Sequence, residues 1–123
     1  VEMPLDPIAL VSGTVTCREL DWYKSSETLE SMFSSSKNEA VFDLVIVTDC
    51  SLSEKDTRGV FDTIRKYSTK GHTKVIVASC NQREGTPLVH KQAKEFQNLI
   101  QVEPSELHPD YASSRHTILA FDA

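Results

Sequence analysis

Hydrophobic and polar positions alternate or cluster along this chain in patterns that predict its elements. The strongest is Val41-Phe42-Asp43-Leu44-Val45-Ile46-Val47, apolar but for Asp43, which ends abruptly in Thr48-Asp49-Cys50-Ser51. A run apolar at successive positions suits a strand covered on both faces, the central strand of a parallel sheet. Ser53-Glu54-Lys55-Asp56 then opens a helix, with Ser53 placed as an approximate capping box to Asp56. Val60, Phe61, Ile64 and Tyr67 share one face of that helix, and Lys70-Gly71 stops it. Lys74-Val75-Ile76-Val77-Ala78-Ser79-Cys80 is another apolar run bounded by polar residues, so it predicts a second buried strand. Strand, helix and strand in succession form a βαβ unit with a right-handed crossover.

Weaker patterns flank this unit. Thr14-Val15-Thr16-Cys17-Arg18-Glu19-Leu20-Asp21-Trp22 alternates β-formers with polar residues and predicts a strand tipped by Asp21 and Trp22. Residues 1–13, interrupted by Pro4 and Pro7, read as a lead-in segment or the tail of a helix rather than a domain. Lys24 to Glu39 is a polar loop around Leu29, Met32 and Phe33, with a helical turn or two. Asn81 to Thr86 is a loop containing Arg83 and Gly85, and Pro87 starts a helix whose apolar side is Leu88, Val89, Ala93 and Phe96. Leu99-Ile100-Gln101-Val102 makes a short strand stopped by Glu103-Pro104, and His116 to Phe121 makes the last one after an irregular stretch. The two terminal strands suggest an antiparallel hairpin appended to a parallel sheet. The expected fold is a three-layer, Rossmann-like α/β domain over residues 14–123, mostly parallel with that carboxyl-terminal hairpin.

Composition narrows the function. At 123 residues the chain is one domain, large enough for a single core and small for an enzyme with its own cofactor pocket. A formal charge of −5, a pI near 5.3 and scattered Lys and Arg exclude general nucleic-acid binding. Cys17, Cys50 and Cys80 have no C-x-x-C spacing, so they read as small apolar fillers in a reducing compartment, cytoplasmic or nuclear. No apolar run reaches the roughly 20 residues of a membrane span. His72, His90, His108 and His116 share no ligand spacing, and no Gly-x-Ser-x-Gly elbow is present, so neither a metal nor a hydrolase triad is expected. The chain opens on Val1, which reads as a processed product or a fragment.

Open α/β sheets bind ligands outside the carboxyl ends of their strands, which places Thr48, Asp49 and Cys50 where such a fold keeps its chemistry. Asp49 is open to two readings, capping the following helix or serving a site; Ser51 and Ser53 are competing caps.

In order, Arg18-Glu19-Leu20-Asp21-Trp22, Phe42 to Leu52, Val75 to Cys80 and Glu106-Leu107-His108-Pro109-Asp110-Tyr111 resemble the second half of a seven-β-strand S-adenosylmethionine-dependent methyltransferase. The branch is the protein-lysine methyltransferases called methyltransferase family 16, and the likeness runs from about Thr14 to Ala123. The resemblance implies that Asp21 and Trp22 border the adenine end of S-adenosylmethionine, that Thr48 lies beside it, and that Asp49 helps place the substrate amine. The family's fourth strand ends in Asp-x-x-Tyr; Leu52 stands where the tyrosine would be and supplies neither its ring edge nor its hydroxyl. The family's sheet order is three, two, one, four, five, seven, six. The glycine-rich turn after the first strand and the acid after the second have no counterpart before Thr14. Hence the chain is expected not to be catalytic alone, and its partners would be a protein substrate and a missing amino-terminal half. Either a separate or upstream segment supplies that half, or the third strand docks directly on the fourth.

The run from Asp49 to Asp56 with Ile64-Arg65-Lys66-Tyr67 and His72 to Ser79 is also similar to a response-regulator receiver, with Asp49 as phospho-acceptor and Ser79 as switch hydroxyl. The receiver's acidic pair is missing after Ile8 to Val11, Glu103 stands before Pro104 where a receiver has lysine, and the chain ends in a strand pattern. That resemblance implies a non-catalytic pseudo-receiver or interaction domain.

Overall fold

The computed structural model describes residues 13, 15–17, 19–24, 42–112 and 115–123. Strand β1 spans Leu44–Thr48, helix α1 Glu54–Tyr67, β2 Lys74–Cys80, α2 Thr86–Ala93, β3 Gln97–Gln101 and β4 His116–Asp122, with 3-10 turns at Pro104–Glu106 and Pro109–Tyr111. The start of α1 follows from its sequence: Ser53 Oγ accepts the Asp56 N–H at 3.1 Å. Glu54 and Asp56 sit at the positive end of the helix dipole, and Arg65 and Lys66 at the negative end.

The sheet is open and mixed, in the order β1-β2-β4-β3. β1 and β2 run parallel with Val45 opposite Val75 and Val47 opposite Val77. β4 lies antiparallel to both β2 and β3, so the expected terminal hairpin is present and the described pairings are not mostly parallel. A bulge between Gln97 and Ile100 places Asn98 at φ 55, a left-handed conformation that asparagine tolerates better than most residues.

Both described helices pack on one face. Val60, Phe61 and Ile64 of α1 and Val89 and Ala93 of α2 meet Val75, Val77, Leu119 and Phe121 of the sheet. The ring centroids of Phe96 and Phe121 are 4.5 Å apart, and Phe61 stacks on Phe121 at 6.4 Å. Burying a ring such as Phe61 contributes on the order of 2 kcal/mol. The opposite face carries Leu44, Ile46 and Ile100, which are 48%, 62% and 59% exposed. Among the described residues the domain therefore has two layers, and β1 is covered on one side only. No described helix is long and apolar enough to cross a membrane.

The strand expected at Thr14–Trp22 is not formed by its described members: 15–17 and 19–21 lie outside any ladder, and Trp22 and Tyr23 turn. What forms instead is a local turn at the end of the segment. Asp21 Oδ1 accepts the Tyr23 N–H at 2.9 Å and its carbonyl accepts the Lys24 N–H at 3.0 Å, so Asp21 closes a turn where a strand would continue. The lead-in at 1–12 and the loop at 25–41 lie outside the described residues.

Candidate functional site

The site lies at the carboxyl ends of β1 and β2. The Asp49 N–H donates to the Ala78 carbonyl at 2.9 Å, the last bond between these strands, and at Asp49 the chain turns with φ 48. Capping of α1 falls to Ser53, so Asp49 is free of that duty. Its Oδ2 stands 3.5 Å from Arg83 Nη2, in the loop after β2, and both side chains are substantially exposed. An exposed pair at that distance holds weakly and can be exchanged for another cation. The Cys50 thiol donates to the Thr48 carbonyl at 3.0 Å. Burial pushes that thiol's pKa up, and the Asp49 charge beside it adds to the rise.

One backbone bond and two threonine hydroxyls fix these two loops. The Gly85 N–H donates to the Ser51 carbonyl at 3.0 Å, and the Thr57 hydroxyl donates to the Ser53 carbonyl at 2.8 Å. The Thr86 hydroxyl donates to the Cys80 carbonyl at 2.6 Å. Asp49 and Arg83 are thereby presented by braced loops.

A groove of about 440 Å³ runs along the outer edge of β1, between Leu20 and Trp22 on one side and Leu44, Ile46 and Thr48 on the other, with α1 as its floor. Trp22 is half-buried and packs against the core over Gly59 of α1. Tyr23 follows it, with its hydroxyl bonded to the Asp56 carboxylate and Lys55 Nζ 4.9 Å from its ring centre. The Asp56 hydrogen bond, chiefly, raises the Tyr23 pKa.

Of the residues singled out by sequence, Trp22 and Thr48 line this groove together, whereas Asp21 and Asp49 do not. Asp21 is spent on its own turn. Arg83 is the addition: nothing in its polar loop marks it beyond charge, since its partner lies 34 positions away. No described cluster of His, Cys, Asp and Glu could hold a metal ion. No protein-family model matches the chain, and no curated protein matches it either.

Proposed function

We propose that this chain is the carboxyl-terminal half of a seven-β-strand S-adenosylmethionine-dependent protein methyltransferase acting on lysine, and that it does not catalyse without the other half. The observation that carries the reading is the sheet order. β1, β2, β4 and β3 stand side by side as strands four, five, seven and six do in the family the residues resemble, with a hairpin of the last two. The outer edge of β1, where the family's first strand would lie, has no ladder partner among the described residues. The receiver-like reading is weaker, because β4 enters the sheet antiparallel to β2.

S-adenosylmethionine supplies an electrophilic methyl group when bound. The resemblance assigns Trp22 and Thr48 to the border of that donor. The Asp49 carboxylate, at the end of β1, attracts and orients the incoming amine, and Arg83 gives way to it. With the donor bound, Asp49 would hold the substrate nitrogen in line with the methyl group after the ammonium has lost a proton to solvent, and the donor would supply only that methyl group. Positioning carries most of such a displacement. Leu52, 53% exposed, offers the substrate an apolar contact and no hydroxyl.

The test is incorporation of radiolabelled methyl groups into protein lysine by the polypeptide extended through the reading frame upstream of Val1. Incorporation that falls at least about tenfold in Asp49→Asn is expected, since misplacing a reacting group by about 1 Å can cost about a hundredfold. Equal incorporation by the variant, or incorporation by the 123-residue chain alone, would overturn the reading.

A further inference from the structure

Beneath the candidate site two buried hydroxyls have no hydrogen-bond partner. Among the described residues three buried side-chain oxygens are unpaired, those of Ser51, Ser68 and Ser79, and two of the three line one cavity. Ser51 and Ser79 are 1% and 3% exposed, so bulk water does not serve them. Buried hydroxyls are costly to leave unpaired, and native structures almost always satisfy them.

The cavity lies under the turn that carries Asp49, where the loop after β1, the end of β2 and the first turn of α1 converge. It gives the centre of a water molecule about 10 Å³ of room, which suits one water and is too small for an inorganic anion or an organic group. Apart from its hydroxyls and one thiol the lining is apolar, with Val47, Val77 and Val89 among it and no carboxylate. A cation would lie there stripped of water and without a countercharge. The occupant that fits is small and neutral.

Its hydrogen bonds can be matched one by one. Ser51 and Ser79 each offer an O–H. The Thr57 hydroxyl, on the same cavity, donates to the Ser53 carbonyl at 2.8 Å, which leaves its oxygen as an acceptor. The Cys50 thiol donates to the Thr48 carbonyl at 3.0 Å, which leaves its sulfur as a weak acceptor. Two donors and two acceptors complement the two lone pairs and two protons of a water molecule, and buried waters make about three such bonds. Movement of the chain is a poor substitute, because Ser79 is held in the ladder opposite Thr117 and the Ser51 carbonyl by the Gly85 N–H.

We propose that one water molecule is bound here as a permanent part of the fold, accepting from Ser51 and Ser79 and donating to Thr57 and Cys50. It joins the loop after β1 to β2 and to α1 directly below Asp49, and so braces the turn that presents that carboxylate. The site goes beyond the proposed function and stands whether or not the chain transfers a methyl group.

Oxygen-17 relaxation dispersion of the solvent tests it on the 123-residue chain, because it registers long-lived water molecules and ignores exchanging hydroxyl protons. The dispersion is expected to fall by about one water in the double variant Ser51→Ala/Ser79→Ala, and each single variant should already shorten the residence of that water. Each single variant should also melt about 2–8 °C lower, since a buried partner is lost. Dispersion unchanged in all three variants would overturn the proposal. So would single variants that melt at or above the parent's temperature, which is what removing a merely unpaired hydroxyl would give.

Discussion

The Gly85 N–H donates to the Ser51 carbonyl at 3.0 Å, tying the loop after β2 to the loop after β1. A Cβ on Gly85 would lie 2.6 Å from the Ser53 carbonyl oxygen and 2.7 Å from that of Ser51, and would collide with the Thr57 hydroxyl. The carbonyls belong to the backbone and cannot swing aside. Gly85→Ala is therefore expected to destabilise the chain by roughly 1–3 kcal/mol or more, as overpacking does. Thermal melts check this, and adding Thr57→Ala should restore only part of the loss because both carbonyls remain.

Gly59 gives the contrasting case. A Cβ there meets only the Trp22 side chain at 3.3 Å and the Tyr23 ring at 3.5 Å among side chains, on a segment outside any ladder. That segment can yield, and alanine favours the helix by about 1 kcal/mol over glycine. Gly59→Ala is expected to hold or raise stability while shifting the emission of Trp22, the chain's single tryptophan. A large loss of stability would show that Trp22 is held rigidly on α1.

Asp122 provides a pH dependence. The hydrogen bond from the Asn98 amide, 2.8 Å long, is the main cause of its lowered pKa, and Lys74 adds to it. A carboxyl lowered in the folded state stabilises the fold above its unfolded pKa of about 3.9. That contribution fades as pH falls through the lower folded value. Asn98→Gly keeps the left-handed backbone of the bulge and removes the amide. The Asp122 titration, followed by NMR, is expected to move up toward its ordinary value, and the stability gap to the parent chain should close in acid.

Cys50 and Asp49 predict a reactivity difference. Burial first, and then the Asp49 charge, hold the Cys50 thiol protonated at neutral pH. Iodoacetamide should modify exposed Cys17 well before Cys50. Asp49→Asn removes the larger of the two charges that raise it, Asp56 being the other, and should speed alkylation of Cys50 at pH 8; an unchanged rate would mean that access alone controls it.

How much was legible in the sequence depended on whether the signal was local. Ser53, Val60, Phe61 and Ile64 announce α1 because cap and helical spacing lie within one element. The alternation from Thr14 to Trp22 has no such authority: a strand exists only with a partner, and the turn at Asp21 needs none. The run Leu44 to Val47 reads as covered on both sides, yet Ile46 is exposed, because composition records a strand's suitability for cover and not its presence. β3 starts at Gln97, earlier than its apolar residues suggest, since a bulge carries the polar pair Gln97-Asn98. The order of the sheet and the meeting of Asp49 with Arg83 depend on pairings between distant segments and leave no periodic trace.

Calorimetric titration of S-adenosylmethionine into the 123-residue chain tests the central claim most directly. A sheet that supplies one wall of the donor site and lacks the other should give no measurable binding heat at millimolar donor. Saturable binding in the micromolar range would show that the pocket is complete in this chain, and would contradict its being one half of a larger fold.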